Sequence, residues 1–448
     1  MPPDRELTFE ALPEPVVRVL STIADAGHEV ALVGGCVRDR LLGIPVVDWD
    51  AATSARPEEV AALFEDATWE NRFGTVTIGR SPVVEVTSYR AEAGYRDQRR
   101  PDDVRFGVSL TDDLARRDFT VNAMAWLPTD LAAGKGLMLD PVGGAADLSD
   151  RLLKTVGDPR QRFGEDALRL MRAARFAGRF EMTIDAKTEA AIVELAPTVA
   201  TVSSERVRDE LLRILRLDPR PSRALVALER LGLLKVILPE LAALRGIPQA
   251  KAVPGDALDH TLRAVDAAGV EARLAALLHD LGKATTLADG HFIGHDKVGA
   301  DVAATVLARL RVPSSLAART VGAVREHMYA YDDAWTDAAV RRFIRRTAYV
   351  DRALLFALRR ADNAASGVGS NGEENQAQLE ARVARELERH PELLLYRRLA
   401  IDGYDLQREL GLEPGPEIGA VLDRLIEAVL DDPGLNEVST LLELARQR

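Results

Sequence analysis

The sequence predicts an α+β fold, in which a small mixed-sheet domain is followed by an all-helical remainder. Residues 1–150 alternate short β-branched runs, such as HEVALVGG, TVTIGR and VVEVTSYR, with helix-like segments such as CVRDRLLG. Strands that alternate with helices indicate a sheet domain with helices packed against it. From about Asp150 onward, apolar residues recur at three- and four-residue spacing, as in ALRLMRAARFAGRF, and this period is typical of amphipathic helices.

Length and composition limit the class of protein. A chain of 448 residues is too long for one hydrophobic core, so several structural units are expected. No apolar run approaches the ~20 residues of a membrane-spanning helix, and the N-terminus lacks a charged and then apolar leader. Cys36 is the single cysteine, which excludes an intramolecular disulfide and a multi-cysteine zinc site. We therefore expect a cytoplasmic protein with no membrane partner, and no protein partner is evident.

Charge alone does not decide whether the partner is a nucleic acid. The formal net charge of −12 argues weakly against one, because phosphate binding usually leaves a basic surface. Two stretches are nevertheless basic: residues 151–180 carry eight Lys or Arg against three acids, and residues 336–362 carry seven Arg against three Asp. Such stripes could bind RNA while the rest of the surface repels it.

The strongest chemical signal lies in the first fifty residues. Gly34 and Gly35 form a turn between a predicted strand and a helix, where the backbone can approach a triphosphate closely. Asp48 and Asp50 are one residue apart on a predicted strand, so both carboxylates lie on one face. Mg²⁺ prefers such oxygen ligands, and two metal ions held this way can activate a 3′-hydroxyl and stabilise a leaving pyrophosphate. Glu85, in the middle of another strand, either faces solvent or is a third carboxylate near the metals.

Four motifs that follow one another along the chain resemble those of one protein family. GGCVRD, then DWD, then RRDFTVNAMA at 116–125 and EDALRLMR at 165–172 resemble the class II tRNA nucleotidyltransferase and bacterial poly(A) polymerase family. The family usually has an aliphatic residue where Trp49 stands, but that side chain should point away from the metals. The resemblance implies that Asp48 and Asp50 are the catalytic metal ligands. It also implies contacts to the triphosphate from Gly34, Gly35 and Arg38, and it places Arg117, Asp118 and Asn122 in the ribose-recognition motif.

Base selection is expected from one stretch of helix that begins near Phe163. Glu165, Asp166 and Arg169 fall within one turn, where i,i+3 and i,i+4 neighbours can interact. Cytosine and adenine both present an amine beside an unprotonated ring nitrogen, which match a carboxylate acceptor and a guanidinium donor. Asp166 and Arg169 would thus select CTP and ATP without a template, with Glu165 holding the Arg. Further predicted contacts are Arg172 to the nucleotide and, to RNA, Arg175, Arg179 and Arg206.

Residues 91–106, AEAGYRDQRRPDDVRF, separate the metal motif from the ribose motif. Their density of Arg, Asp and Gly predicts a mobile loop, either a plain connector or, as the resemblance implies, a participant in the switch from C addition to A addition.

A second metal site is predicted in the helical part. LLHDLGK and GHDKVGA resemble the HD phosphohydrolase superfamily, in which His and Asp from separate helices hold one or two divalent metals. Imidazole and carboxylate ligands suit Mg²⁺, Mn²⁺, Ni²⁺ or Fe²⁺, and a bound metal could activate water for attack on a phosphoester. Lys283, one turn beyond the HD pair, could hold phosphate. The implied ligands are His260, His279, Asp280, His295, His327 and Asp362.

The predicted organisation has four parts. A nucleotidyltransferase head at 1–150 is followed by a helical neck at 151–250, an HD body at 251–370 and a helical tail at 371–448. The tail resembles the part of single-chain CCA-adding enzymes that contacts the tRNA elbow, although a purely structural helical cap remains an alternative.

The predicted activity is template-independent addition of C, C and A to the 3′ end of tRNA from CTP and ATP, with Mg²⁺ as the metal of the head. Alternatives are an enzyme that adds only CC or only A, and a poly(A) polymerase. An HD phosphohydrolase acting on RNA ends is a rival from another class, against which the intact Asp48 and Asp50 argue. The HD site adds a possible accessory phosphohydrolase activity.

Overall fold

The computed structural model describes residues 5–10, 12–69, 74–93, 103–249, 251–367, 369–391 and 399–447. The chain divides into two compact units, Met1–Ile237 and Leu238–Arg448. The first unit contains a mixed sheet and the helices that follow it, and the second is built from helices, which confirms the predicted α+β class. Among the helices of the described residues, none is both long and apolar enough to cross a bilayer.

The sheet of the first unit has eight strands, in the order β1-β10-β9-β2-β3-β6-β5-β4. Strands β3 and β6 run parallel and the other neighbours run antiparallel, so the sheet is mixed. Two small pairs, β7 with β8 and β11 with β12, lie outside it. The strand bounds are β1 (Arg5–Thr8), β2 (Val30–Val33), β3 (Trp49–Thr53), β4 (Ala67–Thr68), β5 (Thr75–Ile78), β6 (Val84–Ser88), β7 (Arg90–Ala93), β8 (Asp103–Phe106), β9 (Ala125–Asp130), β10 (Lys135–Leu139), β11 (Leu152–Leu153) and β12 (Thr183–Ile184).

The helices of the first unit pack around this sheet and continue beyond it. Buried side chains of β2, β3 and β9 form a common core with Leu110 and Leu114, as expected for apolar surface removed from water. The helix bounds are α1 (Glu14–Asp25), α2 (Gly35–Leu41), α3 (Pro57–Ala62), α4 (Leu110–Ala115), α5 (Gly144–Ser149), α6 (Pro159–Glu165), α7 (Leu168–Arg179), α8 (Ala186–Leu195), α9 (Ser204–Leu217), α10 (Ser222–Arg230) and α11 (Leu234–Ile237).

Two expectations about the first unit need correction. The helix expected to run through Glu165, Asp166 and Arg169 is broken, because Asp166 has extended backbone angles (φ −151°, ψ 105°) between α6 and α7. The segment 91–106 was expected to be a loop, but both of its ends are strands, since β7 pairs with β8 from Arg90↔Phe106 to Ala93↔Asp103. Residues 94–102 of that segment lie outside the described residues.

The second unit contains three groups of packed helices. His-bearing helices surround α14, aromatic residues cluster around Phe343, and α21, α22 and α23 share a separate apolar core. The expected single helix LAALLHDLGKAT is broken after Leu278, and the chain resumes helical geometry at Lys283. The helix bounds are α12 (Pro239–Ala242), α13 (Ala257–Ala267), α14 (Arg273–Leu278), α15 (Lys283–Thr286), α16 (His295–Arg309), α17 (Ser314–Glu326), α18 (Asp337–Arg346), α19 (Arg352–Ser366), α20 (Ser370–Arg389), α21 (Gly403–Leu410), α22 (Pro416–Asp431) and α23 (Val438–Arg446).

Candidate active site and metal centre

A group of carboxylates lies where β3 begins beside β6. Asp50 on β3 is paired in register with Glu85 on the parallel strand β6, so the two side chains emerge on the same face of the sheet. Asp48 is exposed immediately before β3, which begins at Trp49 rather than at the preceding valines. The Trp49 side chain is buried and its ring lies 6.1 Å from that of Phe9, away from the exposed acids.

These carboxylates repel one another. Burial raises the pKa of Asp50 to about 6, Glu85 and Asp48 push it upward as well, and Arg117 opposes the rise. Negative groups that share a face disfavour one another's ionised form. A divalent cation would relieve this repulsion, because it stabilises the ionised form of every carboxylate that it contacts.

The turn after β2 has a shape that only glycine adopts easily. Gly34 has a φ of +74°, and a Cβ built on it would lie 2.7 Å from Nη1 of Arg117. The backbone N–H of Gly34 donates to the carbonyl oxygen of Met124 at 3.0 Å. Helix α2 begins at the next residue, Gly35. The Arg117 guanidinium therefore lies directly against the turn predicted to receive the triphosphate.

Asp113 anchors that guanidinium. Its side chain is fully buried; Oδ2 accepts from Nη2 of Arg117 at 3.3 Å, and Oδ1 accepts from Nη2 of Arg116 at 2.7 Å. Oδ1 also accepts from the backbone N–H of Arg90, where strand β7 begins. Burial alone would raise the pKa of Asp113, but Arg116 and Arg117 hold it below its usual value. Asp113 was not among the predicted site residues.

Arg38, predicted to contact the triphosphate, is 5% exposed. Its Nη1 donates to Oδ1 of Asn122 at 2.5 Å and its Nη2 donates to Oδ1 of Asp39 at 2.6 Å. The guanidinium stacks over the ring of Phe180, with 4.4 Å between Cζ and the ring centroid. Arg38 thus connects α2 to the predicted ribose motif through Asn122.

Asp118 joins the ribose motif to α7. Its Oδ1 accepts from the backbone N–H of Phe119 at 2.8 Å and from Nδ2 of Asn122 at 3.1 Å, while Oδ2 accepts from Nη2 of Arg172 at 2.7 Å. Burial would raise the pKa of Asp118, but Arg172 and Asn122 hold it well below the usual range for Asp. Asp118 is therefore ionised at neutral pH and can only accept hydrogen bonds.

The predicted base-reading residues are arranged across the break between α6 and α7. Glu165 Oε2 accepts from Nη1 of Arg169 at 2.7 Å and from Nη1 of Arg162 at 2.9 Å. Arg169 also donates to the carbonyl oxygens of Arg162, at 2.8 Å, and of Arg116, at 3.3 Å. The Arg169 guanidinium is therefore fixed to the segment that leads into Arg117 and Asp118.

Asp166 is paired with Arg206, a partner that the sequence analysis did not assign to it. Because the helix breaks at Asp166, its Oδ1 accepts from the backbone N–H of Leu168 at 3.0 Å, and its Oδ2 accepts from Nη2 of Arg206 at 2.6 Å. Arg206, predicted to bind RNA, thus comes from α9 to hold the carboxylate beside Arg169.

The expected RNA contact by Arg175 needs correction. This residue is 4% exposed and its Nε donates to Oε1 of Glu210 at 2.6 Å, between α7 and α9. Burial lowers the pKa of Arg175 to about 10. Arg175 and Arg179 stack over the rings of Phe176 and Phe180, at 4.3 and 5.0 Å. Arg175 therefore serves inside the protein, where its helix face packs on α9, and it is not a surface contact.

The predicted HD ligands converge in the second unit, from several helices. Among the described residues they form two groups, whose ligand atoms all lie within 4.8 Å of one another. One group is His260, His279 and Asp362, and the other is Asp280, His295 and His327. All six side chains are buried.

Asp280, a member of the second group, also lies close to two histidines of the first. Its Oδ2 is 3.1 Å from Nε2 of His279 and 3.5 Å from Nε2 of His260, and its Oδ1 is 3.5 Å from Nε2 of His295 and 4.0 Å from Nε2 of His327. Burial would raise the pKa of Asp280, yet His279 and Lys283 hold it well below its usual value. One carboxylate thus offers an oxygen to each group.

Three of the imidazoles are oriented by the backbone that immediately precedes them. The Nδ1 atoms of His279, His295 and His327 lie 2.8, 2.7 and 2.6 Å from the carbonyl oxygens three residues earlier in the chain. An Nδ1–H that donates to a carbonyl leaves the Nε2 lone pair for a metal. Burial lowers the pKa of His327 to about 4, which keeps the ring neutral, as metal binding requires. This donor set fits a divalent transition metal.

The backbone of the turn that follows His279 and Asp280 packs closely against α16, the helix that begins at His295. A Cβ on Gly282 would lie 2.2 Å from the carbonyl oxygen of His295 and 2.6 Å from the backbone nitrogen of Gly299. Two glycines therefore allow the turn that follows Asp280 to lie directly on α16. Lys283, at the end of that turn, donates to Oδ2 of Asp280 at 2.5 Å and to Oε1 of Gln249 at 2.8 Å.

Family models match three consecutive parts of the chain. They are the poly A polymerase head domain at residues 30–154, the probable RNA and SrmB-binding site of polymerase A at 181–244, and the HD domain at 257–389. Together with the carboxylate face and the buried His/Asp centre, they define a nucleotidyltransferase head followed by an HD domain. Both kinds of domain imply divalent metals.

Two individual relatives show to which protein family the chain belongs. An A-adding tRNA nucleotidyltransferase of Deinococcus radiodurans is 35% identical over 434 residues, which are 92% of this chain and 92% of that protein. A CCA-adding enzyme of Limosilactobacillus reuteri is 45% identical over 207 residues, 46% of this chain and 50% of that enzyme. The chain thus spans about half the length of such CCA-adding relatives. It belongs to the class II poly(A) polymerase/tRNA nucleotidyltransferase family.

A solved structure resembles the whole chain. The crystal structure of a Bacillus stearothermophilus CCA-adding enzyme in complex with CTP covers 98% of this chain and 99% of its own, with a TM-score of 0.69 and 28% identity. A Thermotoga maritima CCA-adding enzyme complexed with tRNA shares the fold, with a TM-score of 0.52 and 18% identity.

Proposed function

We propose that this protein adds C, C and A to the 3′ end of tRNA, without a template, from CTP and ATP. The observation that carries the proposal is the connection between three sets of side chains in one unit. The Asp50 and Glu85 carboxylates lie on one sheet face, and Arg117 lies against the Gly34 turn. The carbonyl oxygen of Arg116, one residue earlier, accepts from Arg169.

Asp48 and Asp50 are the residues that we propose to hold Mg²⁺, with Glu85 as a further ligand. The ions would supply activation of the 3′-hydroxyl and stabilisation of the leaving pyrophosphate. The carboxylates themselves orient this end of the site, and their mutual repulsion favours the entry of cations. Gly34, Gly35 and Arg117 receive the triphosphate, since the turn admits close backbone approach and the guanidinium is cationic. Arg38 supports this turn, because its backbone N–H donates to the carbonyl oxygen of Gly34 at 3.1 Å.

Sugar recognition rests on Asp118. An ionised carboxylate can accept from a 2′-hydroxyl, a group that deoxynucleotides lack. Asn122 and Arg172 fix both of its oxygens. This arrangement favours CTP and ATP over their deoxy forms.

Base recognition rests on Asp166 and Arg169. Arg169 donates to the ring nitrogen and Asp166 accepts from the amine, a pattern shared by cytosine and adenine and reversed in uracil and guanine. Glu165 and Arg206 hold these two side chains through bonds of 2.7 and 2.6 Å. A mismatched base leaves buried polar groups unpaired, at about 1–3 kcal/mol each.

A second candidate function is addition of the terminal A alone. It is supported by the relative from Deinococcus radiodurans, an A-adding tRNA nucleotidyltransferase aligned over almost the whole chain. We also propose that the HD centre holds Mg²⁺, Mn²⁺ or Ni²⁺ and carries an accessory phosphohydrolase activity, supported by its buried His and Asp donors. Since tRNA is the proposed acceptor, we expect the protein to act in the cytoplasm.

One assay separates these candidates. The protein is incubated with Mg²⁺, labelled CTP or ATP, and tRNAs that end at the discriminator base, at C or at CC. The proposal expects two C and then one A, after which addition stops. Incorporation of A into the CC-ending tRNA only would identify an A-adding enzyme. A growing A tract on unrelated RNA would contradict the proposal in favour of a poly(A) polymerase.

A further inference from the structure

The sheet face that carries Asp50 and Glu85 continues across β5. In the antiparallel pair of β5 and β6, Thr77 lies directly opposite Glu85, so the two side chains stand on the same face, with Cβ atoms about 5 Å apart. Glu85 is exposed and Thr77 is half-buried. The residues that alternate with them are fully buried on the other face: Val76, Ile78, Val84 and Val86. A polar row that is open to solvent therefore runs outward from the carboxylates.

The turn between β5 and β6 lies at the edge of the sheet where β3 begins. Because β3 and β6 are parallel and in register, Val83 at the end of this turn lies next to Asp48. The turn also carries Arg80, which is exposed and makes no ion pair with any carboxylate of the described residues. Val83 and Val47 are 38% and 76% exposed. Cationic and apolar side chains thus adjoin the acids at this edge.

In-line displacement fixes the direction from which an acceptor RNA approaches these acids. The 3′-oxygen bonds to the α-phosphorus while the bond from that phosphorus to the pyrophosphate oxygen breaks on the opposite side, and the hydroxyl proton passes to water. Strand β2 is antiparallel to β3, with Leu32 opposite Ala51, so the Gly34 turn lies on the β2 side of Asp50. Since that turn is proposed to receive the triphosphate, the 3′-hydroxyl must come from the β6 side.

We propose, on the basis of the nucleotide addition proposed above, that the open face of β5 and β6 binds the 3′-terminal nucleotides of the acceptor RNA. The contacts are the Thr77 hydroxyl and the Arg80 guanidinium. Thr and Arg commonly donate to the sugar and phosphate oxygens of nucleic acids, and such contacts read no bases. They suit an acceptor whose last base changes with each addition. The Arg80 cation also offsets the repulsion between the RNA phosphates and the exposed acids.

Acceptor kinetics test this assignment in the full-length protein. Thr77→Val and Arg80→Ala together should lower kcat/KM for a CC-ending tRNA at least about tenfold, because two polar contacts to a charged backbone are lost. The KM for ATP at saturating tRNA should stay within about twofold. Lys135→Ala removes an exposed cation from β10, at the opposite edge of the sheet, and should leave both constants within about twofold. Circular dichroism checks that each variant is folded.

Cross-linking tests the position of the RNA without any turnover. Cys36 is buried and is the single native cysteine, so an introduced surface thiol reacts selectively. Arg80→Cys should form a disulfide with a CC-ending tRNA that carries an activated disulfide at the 2′-position of its penultimate nucleotide, and excess unmodified tRNA should prevent it. Ala24→Cys, at the exposed end of α1, is the matched control and should form none.

Three results would overturn the assignment. They are an unchanged acceptor kcat/KM in the folded variant with both substitutions, an increase in the KM for ATP as large as the acceptor effect, and equal cross-linking of the two cysteine variants. Failure of the protein without substitutions to add C or A to any tRNA would instead contradict the proposed function, while cross-linking would still report whether RNA binds at this face.

Discussion

The two acid-rich sites of this protein, one partly exposed and one buried, balance their negative charge in opposite ways. In the first unit, Asp50 lies beside Asp48 and Glu85, and its pKa is raised to about 6. In the second unit, histidines and lysines hold the pKa values of Asp280 and Asp362 well below the usual range, against the effect of burial. The chain thus leaves more negative charge unbalanced in the first site than in the second. We expect the first site to respond more strongly to the loss of a carboxylate.

The largest expected effect follows from removing a carboxylate of the head. Asp50→Asn should lower nucleotide addition by at least about 10²–10³-fold, since it removes charge that positions the metals in the transition state. Incorporation of labelled ATP into a CC-ending tRNA measures the effect. The matched variant His327→Ala, in the HD centre, should leave this rate within about twofold. Equal losses in both variants would mean that the two sites are coupled.

Asp113 is a carboxylate of the head whose negative charge is already balanced by Arg116 and Arg117. Asp113→Ala leaves Arg116 and Arg117 without their buried partner, and breaking such a pair costs about 3–5 kcal/mol. Urea unfolding followed by circular dichroism measures the loss. Asp66→Ala breaks the exposed pair with Arg18 and should cost less than about 1 kcal/mol. Similar losses in the two variants would contradict the role assigned to Asp113.

The contribution of Asp113 should also depend on pH, and the sign follows from its lowered pKa. An acid with a lower pKa in the folded state stabilises the fold above its unfolded value of about 3.9, and this contribution disappears as the pH falls through the folded value. The difference in unfolding free energy between the protein and Asp113→Asn should be constant from about pH 5 to 8 and shrink below about pH 4. A difference that grows in acid would reverse the assignment.

The smallest effect concerns base choice. Arg169→Ala should reduce discrimination between CTP and UTP by about 10–100-fold, which corresponds to about 1–3 kcal/mol for unpaired polar groups. Competition between the two nucleotides on a tRNA that ends at the discriminator base measures it. Arg160→Ala, in the same region but paired with Glu194 at the surface, should leave the ratio unchanged. An unchanged ratio in Arg169→Ala would remove Arg169 from base recognition.

The sequence predicted the elements whose signal is local. The β-branched runs and the segment around Asp50 located four strands of the sheet, β2, β3, β5 and β6, and the HD motifs predicted six residues that the fold brings together from five helices or their ends. The breaks at Asp166 and after Leu278 were missed, because apolar periodicity continues across both of them. Each break serves a contact with a distant residue, Arg206 in one case and α16 in the other.

Residues that act through distant partners were also missed. Asp113 reads as an ordinary first-turn acid of α4, and only the fold shows that Arg90, Arg116 and Arg117 converge on it. The Nζ of Lys251 donates to Oδ1 of Asp362, 111 residues later in the chain, at 3.1 Å, a contact that has no counterpart in sequence spacing. Arg175 carried the charge expected of an RNA contact, but its position on α7 faces Glu210.

The contact between Gly282 and Gly299 is possible because glycine has no side chain, and the spacing of the HD centre depends on it. A single methyl group at Gly282 would collide with backbone atoms rather than with flexible side chains, so the turn and α16 would have to separate. Such a separation would carry His295 away from Asp280 without altering any ligand. The geometry of this centre therefore depends partly on two residues that offer no donor atom, and a comparison of the ligand residues alone would not reveal a change at either of them.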